Sequence, residues 1–257
     1  MAVTESTDTL SIQAAAQPDA LAVFVDPSGG ATPSSTTFAE LEALANQLAH
    51  GWRALGIDAG ERLVWCGPNS LEVIATIHGA RKASLVSVPL SYRFIGDEMQ
   101  YVVDNAEASV VIIDAEQAPT LAGVMDRLPT VRKVVVFGGP VPEDSGFLHW
   151  DDLVAGQPTT EMEAEASNSL GATMVYTSGT TGKPKGAMRS SSDKGIVGAM
   201  MMRLGLLEGD HRHLTTGPLY HSGPLSFAAL NHSIGAPIYV LRKFDPVAWL
   251  RIVRDHR

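Results

Sequence analysis

The sequence predicts an α/β fold of mainly parallel sheets covered by helices, on three observations. Strand-like apolar runs alternate with helix-like segments along most of the chain, the pattern of a parallel sheet whose crossovers lie on its faces. Of the 257 residues, 45% are hydrophobic and 18% charged, so the chain can bury a core and is a poor candidate for disorder. Its 24 glycines and 15 prolines imply many turns, which argues against a helical bundle.

Each element follows from its residues. Ala22 to Asp26 reads as a strand, and Asp26-Pro27-Ser28-Gly29-Gly30 as the turn that ends it. In the helix that follows, Phe38, Leu41, Leu44, Ala45, Leu48, Trp52 and Leu55 recur at three- and four-residue steps. Thr37 caps its start, Glu40 completes a capping box and Gly56 stops it. Arg62 to Cys66 is a strand, Ser70 to Lys82 a helix, Leu85 to Leu90 a strand, Gly96 to Asn105 a helix and Ser109 to Asp114 a strand. A helix over Ala118 to Leu128 and a strand over Lys133 to Phe137 extend the series. GQPTTEMEAEASNS, from Gly156 to Ser169, is polar and acidic with no apolar period and reads as a connector. The expected organisation is therefore a first α/β subdomain over 1–156, a connector over 157–169 and the start of a second subdomain over 170–257. Helices are expected again at Asp193 to Leu206 and Val247 to His256.

Composition narrows the function classes. A single cysteine, Cys66, excludes an intramolecular disulfide framework. The opening MAVTESTDTL has acids and hydroxyls where a secretory signal needs basic residues and an apolar run, and no uncharged stretch approaches membrane-spanning length, so a cytoplasmic location is expected. The net charge of −9 argues against nucleic acid as a partner. That charge is uneven: residues 1–170 hold 8 Lys and Arg against 23 Asp and Glu, and residues 171–257 hold 11 against 5. The later part can attract an anion or present a solvated basic face, and charge does not choose between these.

The motif does. Met174-Val175-Tyr176 ends a strand-like run, and Thr177-Ser178-Gly179-Thr180-Thr181-Gly182-Lys183-Pro184-Lys185-Gly186 follows at once. Four hydroxyls, three glycines and two lysines can surround a polyphosphate: glycine admits backbone N–H groups, hydroxyls donate and ammonium groups neutralise. A Walker loop is excluded, since Thr177 stands where that pattern needs glycine and Pro184 would interrupt the helix it requires. A ligand-free Gly/Ser/Thr hairpin is the bland alternative, and the Lys-Pro-Lys-Gly continuation counts against it.

YTSGTTGKPKG resembles the phosphate-binding signature of the adenylate-forming (AMP-binding) enzymes, which include acyl-CoA synthetases, aryl-CoA ligases, luciferases and peptide-synthetase adenylation domains. Similar stretches run through the chain in order: AAAQPDALAV, TFAELEALANQLAHGWRALGIDAGERLVWCGPNS, VPLSYRFIGDEMQYVVDNAEASVVI, GPLYHSGPL and LRKFDPVAWLRIV. The acyl-CoA synthetase (fatty-acid–CoA ligase) branch is the nearest, because Pro218-Leu219-Tyr220-His221-Ser222-Gly223-Pro224 is similar to the segment those enzymes place beside the acyl pocket. The resemblance implies a two-step ligation. A carboxylic acid and ATP, with Mg²⁺, give an acyl-adenylate and pyrophosphate, and the thiol of CoA, a co-substrate, then displaces AMP.

Carried over residue by residue, the resemblance implies that Thr177, Ser178, Gly179, Thr180, Thr181, Gly182, Lys183 and Lys185 bind nucleotide at its β- and γ-phosphates. Lys185 is the charge partner and Thr177 a hydroxyl on the metal side. It places His221 near the substrate carboxylate and the adenylate, so His221 and Lys185 are the catalytic candidates; a satisfied structural histidine is the competing reading of His221. His211 and His213 alternate across a strand-like segment without a third metal ligand and read as surface residues. Met200-Met201-Met202 reads as core filling, with an adaptable acyl-pocket lining as the alternative. The chain departs from the family at Ala187-Met188-Arg189-Ser190-Ser191, where a hydrophobic strand ending in Thr-His or Ser-His is usual.

The resemblance covers the family's amino-terminal portion, and past Arg257 it expects the Tyr-Gly-x-Thr-Glu segment, the ribose-binding Asp, the hinge and the small carboxy-terminal domain with its lysine. The chain therefore reads as an incomplete amino-terminal large domain: inactive alone, self-associating through uncovered surfaces, and active as an acid–thiol ligase in the full-length parent. A non-catalytic nucleotide-binding or partner-binding remnant is the other class. Fatty, aryl and short-chain acids all remain open as substrates.

Overall fold

A computed structural model describes residues 8–27, 32–162, 172–177, 185–189, 194–206 and 208–256. In chain order the elements are α1 (Thr9–Ala16), β1 (Leu21–Asp26), β2 (Ser34–Thr37), α2 (Phe38–Ala54), β3 (Arg62–Cys66), α3 (Leu71–Lys82), β4 (Val86–Leu90), α4 (Gly96–Asn105) and β5 (Val110–Asp114). Then come α5 (Ala118–Ala122), β6 (Lys133–Phe137), β7 (Leu148–His149), α6 (Trp150–Val154), β8 (Thr173–Thr177) and β9 (Lys185–Arg189). The described chain ends with α7 (Lys194–Arg203), β10 (His213–Thr215), α8 (Ser222–Ser233), β11 (Ile238–Leu241) and α9 (Pro246–Asp255). None of the helices among the described residues is long and apolar enough to cross a membrane.

The chain divides into two compact units, one of residues 1–44, 69–71 and 192–257, the other of residues 45–68 and 72–191. These bounds differ from the division at 157–169 expected from composition, for a reason of strand pairing. β1 pairs in parallel with β11, Val23 opposite Ile238, so the start of the chain belongs with its later part. β8 pairs with β4, Ser87 opposite Thr173, so the motif's strand belongs to the earlier series.

The larger unit holds a seven-stranded sheet in the order β7-β6-β5-β3-β4-β8-β9, parallel throughout except between β8 and β9. β4 and β5 are buried at every position, as strands covered on both faces must be, and Val110 to Ile113 of β5 accordingly reads as a continuous apolar run rather than an alternating one. The start of α2 is as expected: Thr37 N donates to Glu40 Oε2 at 2.8 Å and Glu40 N to Thr37 Oγ1 at 3.2 Å, a reciprocal capping box. Its end is a left-handed Gly56 (φ 74°) with Ile57 N donating to Trp52 O at 3.0 Å, which satisfies a terminal carbonyl. The helix expected over Ala118 to Leu128 is instead the short α5 followed by a 3₁₀ turn at Met125–Arg127. Gly123 ends α5, and the apolar spacing past it serves the turn.

Residues 157–162 of the connector contain neither helix nor strand, as expected, and are strapped to α2 and α3 by their own carbonyls and Glu161. Asn46 Nδ2 donates to Thr159 O at 2.8 Å, and His50 Nε2 lies 3.0 Å from Thr160 O. Lys82 Nζ, on a side chain 2% exposed, meets Glu161 Oε1 at 3.7 Å. Residues 163–169 lie outside the described residues.

The smaller unit holds a four-stranded sheet, β10-β11-β1-β2, parallel except between β1 and β2. Tyr239 and Leu241 of β11 pack with Ala248 and Ile252 of α9, and Phe24 joins them. α1, absent from the sequence expectation because only Leu10 along it is buried, is tied in by Gln13 Nε2, which donates to Ser233 O at 3.1 Å.

Candidate functional site

β8 carries the start of the phosphate-loop motif and β9 its end. The two pair antiparallel with Thr177 opposite Lys185 and Tyr176 opposite Gly186. Directly opposed Cα atoms in such a ladder are roughly 4.5–5.5 Å apart, so the two ends of the motif stand side by side. β8 runs parallel to β4, which puts Thr177 at the carboxyl end of its strand, the end at which open α/β sheets take ligands. Of the residues assigned to nucleotide, Ser178, Gly179, Thr180, Thr181, Gly182 and Lys183 lie outside the described residues, and Thr177 is described in its backbone alone. Lys185 is exposed and makes no ion pair among the described residues.

What holds this hairpin is its inner face. Met174 and Tyr176 pack against the core that contains Val88, Val102 and Ala172, while Val175 is buried on the other face. Tyr176 Oη donates to Asn105 Oδ1 at 2.9 Å. Burial, with the Tyr101 phenol adding and the Arg62 guanidinium opposing, pushes the Tyr176 phenol up to about 12, so it stays a protonated donor at neutral pH. A Cβ on Gly186 would lie 3.1 Å from both Tyr176 Cζ and Met174 Sδ. The last glycine of the motif therefore leaves room for the tyrosine ring, a packing role that composition attributed to phosphate approach.

His221 lies in the other unit, at the N-cap of α8 with extended backbone (φ −87°, ψ 141°) and no side-chain capping bond. Its carbonyl accepts the first helical bond, from Leu225 N at 3.1 Å, and its own N–H closes a turn to Pro218 O at 3.1 Å. The imidazole is exposed, its ring centroid 4.4 Å from that of Tyr220. Leu219 is the buried anchor of the segment. Gly217 is glycine because a Cβ there would come within 2.9 Å of Pro224 Cγ.

Sequence reasoning missed Asn69. Its Nδ2 donates to Gly217 O at 3.1 Å and its Oδ1 accepts from Leu219 N at 2.8 Å. The one signal available was its place in GERLVWCGPNS, similar to the family as a stretch but without a chemical pattern of its own.

Two side-chain expectations are overturned. His211 and His213 are half-buried rather than simply exposed: their Nε2 atoms, with Thr215 Oγ1, are buried without a hydrogen-bond partner among the described residues, and burial pushes the His213 imidazole down. Met200 and Met202 are 41% and 66% exposed rather than core. Consecutive helical residues point about 100° apart at 3.6 residues per turn, so three adjacent methionines cannot share one buried face. Among the described residues no group of three or more His, Cys, Asp or Glu is placed to hold a metal ion.

The sequence profile of the AMP-binding enzyme family matches residues 10–257. Among curated relatives, the 3-hydroxybenzoate–CoA ligase of Aromatoleum sp. (strain CIB) is 32% identical over 237 residues, 89% of this chain and 43% of that protein. The long-chain-fatty-acid–CoA ligase FadD13 of Mycobacterium tuberculosis is 27% identical over 236 residues, 91% of this chain and 45% of that protein. The chain thus spans less than half the length of these relatives. Among solved structures, the inhibitor-bound N-terminal domain of FACL13 from Mycobacterium tuberculosis superposes with a TM-score of 0.78 at 25% identity, covering 96% of this chain and 60% of that one.

Proposed function

The chain belongs to the AMP-binding enzyme family, and from that premise we propose that it supplies the phosphate loop and the His221 segment of an ATP-dependent acyl-CoA synthetase. In that reaction a carboxylate oxygen attacks the α-phosphorus of ATP, the bond to the bridging oxygen breaks and pyrophosphate leaves with its electron pair. The CoA thiolate then attacks the acyl carbon, and AMP departs.

The observation that carries the reading is the pairing of Thr177 with Lys185, which closes a Gly- and hydroxyl-rich segment at the carboxyl end of a sheet strand and leaves an exposed ammonium at its edge. In this reading Lys185 Nζ faces the outer phosphates, and the hydroxyls and backbone N–H groups of residues 177–183 bind the remaining oxygens. Transfers of this kind depend on charge stabilisation and positioning and need no protein nucleophile. Magnesium would supply further charge neutralisation at those phosphates. It is typically held by phosphate oxygens and few protein groups, and Thr177 is the hydroxyl assigned to it. The His221 imidazole is assigned to the acid's carboxylate, to which a ring N–H donates a hydrogen bond, an ionised carboxylate being an acceptor alone. Its exposure and its freedom from capping support that role over a purely structural one.

Acid-dependent exchange of pyrophosphate into ATP, by the full-length polypeptide that carries this chain, tests the proposal. The panel spans fatty, aryl and short-chain acids, because the relatives are named for both an aryl acid and long-chain fatty acids. Exchange with one of these classes supports the ligase. ATP binding without exchange for any of them overturns it in favour of a non-catalytic nucleotide-binding protein.

A further inference from the structure

We infer that Asn69 is a positioning residue for His221, an inference that rests on the role proposed above for that histidine. The Asn69 side chain, in a residue 6% exposed, uses both ends of its amide: Nδ2 to Gly217 O at 3.1 Å and Oδ1 from Leu219 N at 2.8 Å. One planar group thus fixes a carbonyl and an amide two residues apart on the segment between β10 and α8. An amide does this because it is donor and acceptor at once; leucine, branched at the same carbon, is neither, and an ionised aspartate only accepts.

The remaining contacts of the segment hold other points. Leu219 anchors its side chain, Pro224 closes on Gly217, and the turn from His221 N to Pro218 O sets the last step. None of them pairs the Gly217 carbonyl or the Leu219 amide. Buried backbone groups that lose their partners move until they find water or another one. Because His221 is the N-cap of α8 and its ring lies on Tyr220, a shift of residues 217–220 re-aims the imidazole without unfolding the helix behind it.

Two variants, the smaller Asn69→Ala and the similarly branched Asn69→Leu, and two readouts test this. In the chain, amide exchange at Leu219 should quicken by about tenfold or more in both variants, while exchange at Trp52 in the core of the other unit stays as in the wild type. In the full-length polypeptide, Asn69→Leu should lower kcat for acid-dependent pyrophosphate exchange by about tenfold with the KM for ATP changed less than about twofold. Adding Asn69→Leu to His221→Ala should cost less than about twofold more, since residues acting through one group are not additive. Unchanged Leu219 exchange, or a double variant whose losses multiply, overturns the inference. If the wild type exchanges no acid while Leu219 protection is lost in both variants, the ligase proposal fails and the Asn69 contact to the loop stands.

Discussion

The Tyr176 phenol, one residue before the phosphate-loop segment, donates to the Asn105 side-chain oxygen at 2.9 Å and so ties β8 to the last residue of α4. The bond adds to the core packing of Met174 and Tyr176 in holding a strand that has a single residue registered against β4 and five against its antiparallel partner.

Removing it with Tyr176→Phe should cost about 1 kcal/mol, the usual net worth of one such bond, read from urea unfolding. The same tyrosine gives an alkaline signature. Its phenol is raised in the fold from the ordinary 10 to about 12, so its contribution to stability is complete below pH 10 and is lost as the pH climbs toward 12. The wild type should therefore lose stability across that interval more steeply than Tyr176→Phe. Parallel curves for the two would contradict the raised Tyr176 phenol.

Gly186→Ala should destabilise the β8–β9 hairpin by about 1–3 kcal/mol, the range for overpacking, because its Cβ would press on Tyr176 Cζ and Met174 Sδ at 3.1 Å. Combining it with Met174→Ala should recover part of the loss. Thermal unfolding of the single and double variants checks both statements.

Glu61 laces the amino ends of three strands. Its carboxylate accepts from the Ser109 hydroxyl and the Asp58 N–H, both at 2.7 Å, and pairs with Arg132. Burial alone would raise it, but these partners together offset burial and leave it below the ordinary 4.5. A depressed carboxylate contributes stability that is full above its unfolded value and lost as the pH falls through its folded value. Glu61→Gln should thus be less stable than the wild type at pH 7, with the gap closing below pH 4.5. A gap of constant size from pH 7 to pH 3, followed by circular dichroism, would contradict the assignment.

Lys185→Ala should weaken ATP binding by roughly 1.5–3 kcal/mol, the range for a charge-assisted contact, and leave AMP affinity nearly unchanged, because the ammonium is assigned to phosphates that AMP lacks. Calorimetry with both nucleotides on the full-length polypeptide decides it. Equal losses would move Lys185 away from the outer phosphates.

The candidate site was legible in proportion to how local its chemistry is. The stretch from Thr177 to Lys185 announced itself, since hydroxyls, glycines and lysines in one short run have few structural uses in common. Gly186 was legible as glycine but not as to why, because its reason is a tyrosine on the facing strand. Asn69 was illegible: its two bonds reach residues 148 and 150 positions away, and no spacing rule connects them. His211 and His213 misled because alternation along a strand indicates a face, not whether that face is covered.

Residue order alone was enough for whatever a single stretch of backbone settles with its near neighbours: the Thr37–Glu40 box and Gly56 bounding α2, the buried apolar runs of β3 to β6, and the motif itself. Pairing was another matter. That β8 extends the sheet beside β4, and that β1 lies between β11 and β2 rather than in the sheet of β3 to β6, came from the folded chain. Hydrophobic period is a local quantity that says a strand will be buried. Which edge it joins depends on which backbone donors and acceptors the rest of the fold leaves open, and that is known when all the strands are in place.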